Sequence, residues 1–400
     1  MGAERTAASA SPAGGPTVSV AIVRARYNPY GGAERFVQRA LGALAARGVD
    51  VTVIARRWPA LREGGAPPPV RFERVDPFYA GSLWRDWSFA RAVRARLALR
   101  HDALVQSHER IPGVAVYRAG DGVHAEYLAQ RCRALPAWRA ALVRASPYHA
   151  YVCAAERAMF THPALRAVIC NSEMVRGEIR SRFGVPPERL HLIRNGVDLE
   201  RFRPPAAAER AAARDALGLP EGAPAFAFVG SGFERKGLAG ALRGLARCAR
   251  PDARLVVAGA DKHASRYAAL ASRLGIAQRV RWLGGVDDVR PALWAADALV
   301  LPTLYDPFPN AALEALACGR AVLTSTKSGA AELIEPGANG EVADALDVPG
   351  IAAALERLAG AADDAARVEC ARASVATLSL DALAGELIAL YRALIESAAP

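Results

Sequence analysis

A chain of 400 residues, 52% hydrophobic and 23% charged, is too apolar to be mainly disordered and long enough for two domains with separate cores. Its formal charge of +11 keeps nucleic acid, a membrane surface and an acidic substrate open as partners. The excess lies in one half: residues 1–200 carry 29 basic against 17 acidic residues, net +12, whereas residues 201–400 carry 22 against 23, net −1.

In chain order, residues 1–16 are Ala, Ser, Gly and Pro with scattered charge, the composition of a disordered leader without the apolar stretch of a signal peptide. Apolar, β-branched runs then predict strands at 18–23, 51–55, 70–75, 103–106, 114–117, 167–171 and 190–194, with a helix over 33–47. Arg-rich helical segments with Trp and Leu follow at 84–100 and 130–144, a mixture that suits an anionic lipid surface or an ordinary solvated face. Arg203-Pro204-Pro205 breaks both helix and sheet and marks a boundary. Beyond it the rhythm restarts, with strands at 225–229, 254–258, 280–283, 298–301 and 321–324 and a helix over 237–249. Strand–helix alternation of this kind predicts an α/β chain of two Rossmann-like, doubly wound domains facing across a cleft. They would span 17–200 and 206–378, with a C-terminal helix over 379–400 packing back toward the first domain.

The cysteines at 132, 153, 170, 248, 318 and 370 form no C-x-x-C pair and no zinc spacing, which fits small buried thiols in a reducing, cytoplasmic setting. No run reaches the roughly 18–20 apolar residues that span a bilayer, so the expectation is peripheral membrane contact at most.

In doubly wound sheets ligands bind at the carboxyl ends of strands, so the loops there carry the chemistry. The first, Asn28-Pro29-Tyr30-Gly31-Gly32-Ala33-Glu34, has two glycines that let backbone approach an anion at a helix start, or simply make a tight turn. The second, Gly230-Ser231-Gly232-Phe233-Glu234-Arg235-Lys236-Gly237, offers adjacent cations on a Gly-rich loop. Phosphate oxygens suit such a pair, although a solvated helix start would look the same. Only three of the 51 basic residues are lysine, and Lys236 is one of them. In the third, Tyr305-Asp306-Pro307-Phe308-Pro309-Asn310 leads into a helix carrying Glu314. Its two carboxylates would either hold separated hydroxyls of a nucleotide sugar or form an internal ion pair.

Together these loops resemble the retaining glycosyltransferases of family 4, which have the GT-B fold, and the likeness extends over about 17–395. Val168-Ile169-Cys170-Asn171-Ser172-Glu173 and Ile193-Arg194-Asn195-Gly196-Val197-Asp198 look like that family's inter-domain stretch. Tyr27 to Gly32, Ile111 to Asp121 and Gly230 to Gly237 are similar, more narrowly, to the lipopolysaccharide core glucosyltransferase I family. The resemblance implies that Arg235 and Lys236 hold the donor diphosphate, Glu314 the donor ribose and Asp306 the donor sugar. Asp306 stands where the family usually has Glu. Gly31, Gly32, Gly232, Phe308, Pro309 and Asn310 would complete the donor pocket. Asp121 would act in catalysis with Arg235, Lys236 and Asp306, while His108, Glu109 and His124 would lie on the acceptor side.

The implied reaction moves a hexose, glucose in the narrower likeness, from UDP-glucose to a lipopolysaccharide core or related cell-envelope glycan. No metal and no cofactor are expected. The implied partners are the nucleotide-sugar donor, an anionic glycolipid or glycan acceptor and the cytoplasmic face of the inner membrane. A GDP- or UDP-dependent mannosyl- or other hexosyltransferase and a nucleotide-sugar epimerase of the same fold remain alternatives. Nucleic acid is not expected, because no nucleic-acid motif accompanies the charge.

Overall fold

The computed structural model describes residues 18–25, 40–57, 70–98 and 104–398. Its first sheet contains β1 (Ser19–Val23), β2 (Asp50–Ala55), β3 (Val70–Arg74), β4 (Leu104–Ser107), β5 (Val116–Arg118), β6 (Ala167–Cys170) and β7 (Leu190–Leu192). All pair in parallel in the order β3-β2-β1-β4-β5-β6-β7. The second contains β8 (Ala225–Val229), β9 (Arg254–Ala258), β10 (Val280–Gly284), β11 (Ala298–Leu301), β12 (Ala321–Ser325) and β13 (Gly340–Ala343), again all parallel, in the order β10-β9-β8-β11-β12-β13. Each sheet thus reverses its winding at its first strand. The two reversal points, β1/β4 and β8/β11, lie on either side of one cleft.

The strand runs are continuously apolar because both faces of each sheet are covered. In β1, Val20 and Ile22 pack into one core cluster and Ala21 and Val23 into another, the period-two alternation of a strand. Phe89 and Val93 of the helix Gly81–Leu97 cover the second face. The helix Leu380–Glu396 covers the first, burying Leu383, Leu387 and Tyr391 at four-residue spacing against β1 and β2.

Two sequence expectations change. The segment 130–144 is not one helix: His124–Arg133 ends before Pro136, which takes the N-cap position of a separate helix, Ala137–Arg144. Strand β13 was not foreseen, and its sequence Gly-Glu-Val-Ala contains a single β-branched residue.

Polar contacts join the domains. Arg131 meets Glu234 at 3.0 Å, Arg133 meets Asp344 at 2.9 Å, and Arg194 meets Glu332 at 2.9 Å. Nearer the cleft, Tyr305 Oη donates to Glu178 at 2.7 Å and accepts from the Val123 backbone N–H at 2.9 Å. Gly122 lies at a close approach of the two domains, since a Cβ there would stand 2.3 Å from Tyr305 Oη and 2.7 Å from the Pro307 ring.

Candidate active site

The loop after β8 is shaped by glycine and anchored by an aromatic ring. Gly230 has φ of +140°, donates to the Ala258 carbonyl at 2.9 Å, and lies so near Gly259 that a Cβ on the latter would come within 2.1 Å of its oxygen. The buried Phe233 then docks edge-on against Phe228 and Tyr267. That anchor fixes the short helix Phe233–Lys236, and Arg235 and Lys236 on it turn into the cleft.

Lys236 Nζ and Arg235 Nη1 converge on one oxygen of Asp306, at 2.8 and 3.0 Å. Asp306 is buried in the loop after β11, and its own backbone is pinned by bonds to the Lys327 carbonyl at 3.0 Å and from the Gly329 N–H at 2.9 Å. Burial opposes ionisation of Asp306, but the charges of Arg235 and Lys236 outweigh it and hold the carboxyl below the usual range. The Lys236 ammonium is shifted downward by the same burial, against the pull of Asp306. Two cations against one carboxylate leave this buried cluster net positive, the requirement for an anion site.

These residues line a cleft cavity of about 510 Å³ together with Gly232, Phe308, Pro309, Asn310 and Glu314 on the second domain and His108, Asp121 and His124 on the first. Asp306 is therefore ion-paired and also lines the cavity. Glu314 is half-buried on the helix Asn310–Ala317. Asp121, half-exposed, lies 3.5 Å from Arg24. Confinement raises the cost of its charge, but Arg24, Arg110 and Arg235 outweigh it and keep the carboxylate ionised.

The two histidines are neutral donors or acceptors in this setting. Tyr391 Oη donates to Gln106 Oε1 at 2.7 Å, leaving the Gln106 amide nitrogen to face His108 Nε2 at 3.1 Å. His108 therefore accepts at Nε2 and carries its proton on Nδ1. Burial, reinforced by Arg24 and Arg118, keeps it uncharged. His124 opens the helix His124–Arg133, with Nε2 at 3.0 Å from His149 Nδ1. The carboxylate of the buried Glu156 accepts the His124 backbone N–H at 3.0 and 3.1 Å and also binds Arg110 at 2.9 Å.

Not every expected residue is here. Glu109 does not line the cleft: its carboxylate accepts the Ala25 N–H at 2.9 Å, which draws it into a neighbouring side cavity. Gly31 and Gly32 lie outside the described residues. Conversely, the cavity wall includes Arg24 and Arg110, which sequence reasoning did not single out, and Arg118, Asn171, Asn195 and Tyr305, which it placed within motifs without giving them a role. Asn195 bridges the domains, accepting from Arg118 at 2.9 Å and donating to Asn310 at 2.8 Å and to the Phe308 carbonyl at 3.3 Å. Its place in the inter-domain stretch Ile193 to Asp198 was the available signal.

Comparisons with known proteins bear on the family and the fold. A family model described as Glycosyltransferase Family 4 matches residues 30–201, and one described as Glycosyl transferases group 1 matches residues 223–360. The lipopolysaccharide glucosyltransferase WaaG of Escherichia coli K12 is 28% identical over 319 residues, covering 79% of this chain and 82% of that protein. A D-inositol 3-phosphate glycosyltransferase of Catenulispora acidiphila is 34% identical over 207 residues, but those cover 48% of this chain and 47% of that protein. Among solved structures, a WaaG crystal structure superposes with TM-score 0.78 at 26% identity, covering 92% of this chain and 98% of its own. The HepE protein of Anabaena, with UDP-glucose bound, shares the fold at TM-score 0.74 and 18% identity, covering 94% of this chain and 100% of its own. One model falls on each domain and the fold matches over nearly the whole length: the chain belongs to the family 4 glycosyltransferases of the GT-B fold.

Proposed function

We propose that this chain transfers glucose from UDP-glucose, with retention of configuration and without a metal, to a lipopolysaccharide core or related cell-envelope glycan. The observation that carries the reading is the convergence of Arg235 and Lys236 on Asp306, in one cavity with Glu314 and across from Asp121. The likeness to WaaG, over 79% of this chain and 82% of that protein, supports the choice of sugar and acceptor.

In this reading Arg235 and Lys236 meet the donor diphosphate, Glu314 the ribose hydroxyls and Asp306 the hexose. The bond from the anomeric carbon to the phosphate oxygen breaks as the acceptor oxygen attacks from the same face, and the departing phosphate takes the acceptor proton. Charge grows on the leaving diphosphate, and two preplaced cations in a confined site stabilise it at little reorganisation cost. Asp121, kept ionised by its arginine neighbours, stabilises positive charge developing at the anomeric carbon.

Turnover across UDP- and GDP-sugars, with the product anomer read by NMR, tests the assignment. UDP-glucose is expected to lead with a retained anomer, and Lys236→Ala to weaken UDP binding about 100-fold, the loss of one charge-assisted contact of about 2–3 kcal/mol. A preference for GDP-mannose would overturn the donor.

We further place the enzyme on the cytoplasmic face of an anionic membrane. Among the described residues no helix is long and apolar enough to cross one. The first domain nevertheless exposes Phe78, Trp84 and Trp87 around the helix Gly81–Leu97, and Trp138 and Leu142 on the helix Ala137–Arg144. Arginines lie over two of these rings, Arg91 on Trp87 and Arg139 on Trp138. Aromatic rings with guanidinium groups alongside suit the headgroup layer of an anionic bilayer.

A further inference from the structure

Tyr305 directly precedes Asp306 in the loop after β11, yet its side chain reaches into the other domain. It is 1% exposed, and its hydroxyl works in both directions. Oη donates to Glu178 at 2.7 Å and accepts the Val123 N–H at 2.9 Å. Burial and the neighbouring Glu178 push the phenol well above its ordinary range, so it keeps the proton that it donates. Lys327, from the same domain as Tyr305, holds the Glu178 carboxylate at 3.1 Å.

The Val123 N–H belongs to the turn that carries Asp121, between β5 and the helix His124–Arg133. The first domain fixes this turn at most of its backbone positions. The Ala119 N–H donates to the Ile169 carbonyl at 2.9 Å, and the Gly122 N–H donates to the Ala119 carbonyl at 3.1 Å. Arg110 donates to the Gly122 carbonyl at 3.1 Å, and Glu156 accepts the His124 N–H. Val123 is fully buried and sits at the helix N-cap, where its N–H has no intrahelical partner. A buried N–H left without a partner is costly, and here the partner comes from the second domain.

The backbone of Tyr305 faces the opposite way. Its carbonyl accepts from Arg235 Nη1 at 3.3 Å, and the Leu304 N–H beside it donates to the Arg235 carbonyl at 2.8 Å. One residue therefore bonds the cation pair through its main chain and the Asp121 turn through its ring. Gly122, at φ of +65°, leaves the space that the phenol occupies.

We propose that Tyr305 is a positioning residue: its hydroxyl fixes the turn that carries Asp121, bringing that carboxylate into register with Asp306, Arg235 and Lys236. The inference rests on the transferase reading and adds to it a residue that acts through Asp121.

The test compares the full parent chain with Tyr305→Phe, both in transfer from UDP-glucose to deacylated core oligosaccharide and in amide hydrogen exchange without ligand. Phenylalanine keeps the ring and the backbone bond to Arg235, so UDP affinity is expected to stay within about twofold of the parent. A displacement of about 1 Å at a reacting centre costs on the order of 100-fold, so kcat is expected to fall about 10- to 100-fold. Exchange over residues 119–127 is expected to quicken about tenfold or more, with the rest of the first domain unchanged. Arg133→Gln breaks the contact to Asp344 at the far end of the same helix and is expected to keep kcat within about threefold. Parental kcat in Tyr305→Phe, or parental exchange over 119–127, would overturn the inference. So would a loss of kcat in Arg133→Gln as deep as in Tyr305→Phe, which would assign the effect to domain contact in general. A parent chain that neither binds UDP nor consumes UDP-glucose would remove the transferase reading, and this role with it, before any variant is made.

Discussion

His124 shows how strongly the cleft acts on a single side chain. Burial, with the charge of Arg110 and the proximity of His149, pushes its pKa down from the ordinary 6.5 to about 3. The unfolded chain therefore takes up a proton near pH 6.5 that the folded chain refuses until about pH 3. Stability linked to this residue is full above pH 6.5 and is lost as pH falls through that window, by about 2 kcal/mol at pH 5. Melting curves between pH 7.5 and 5 should show this loss, and His124→Gln should flatten it. An identical pH slope in the variant would place the acid sensitivity elsewhere. The shift in Asp306 also favours the folded state above its own low range, so acid attacks both sides of the cleft.

At the level of elements, Gly237 connects the cation pair to the second sheet. It has φ of +80°, and a Cβ there would lie 1.8 Å from the Pro302 carbonyl oxygen, so backbone meets backbone with no room for a side chain. Gly237→Ala must push the helix Phe233–Lys236 or the loop after β11 aside, at about 2–4 kcal/mol from left-handed strain plus overpacking. Chemical denaturation and UDP titration should therefore fall together. Gly232 has φ of +73° but open space around it, so alanine there should cost only the left-handed strain, about 1–2 kcal/mol in chemical denaturation. Elements like these are legible in a sequence because apolar runs such as Val-Ser-Val-Ala-Ile-Val and paired loop glycines follow directly from two-sided burial and backbone reach. The cation pair could be found because Lys236 breaks a habit of arginine. Arg24 and Arg110 could not, since they are two arginines among dozens and nothing local separates an arginine in a cleft from one in solvent. Glu156 was equally hidden, as its role depends on a partner 46 residues away, whereas Asn195 stood in the inter-domain stretch and only its partner, 115 residues on, was out of reach.

For the molecule as a whole, the charge asymmetry of the two halves acquires a location. The basic half carries the exposed aromatic and arginine-rich helices, and the near-neutral half keeps its useful cations inside the cleft. Flotation should show binding to vesicles containing anionic lipid, reduced several-fold by Trp84→Ser with Trp138→Ser and weakened by salt. Equal partition onto zwitterionic vesicles would sink the electrostatic part of that reading.

The helix Leu380–Glu396 carries a consequence for how the protein is made. The core cluster of the second domain draws its buried residues from Val197 to Val375, one unbroken stretch of chain. The first domain takes Leu383, Leu387 and Tyr391 from beyond that stretch, so the cluster holding Val20, Ile22 and Leu44 stays incomplete until those residues are synthesised. On the ribosome the part translated second can therefore finish folding first. The first domain must wait, with one of its core clusters unfinished, for residues translated after the whole of the second domain's core.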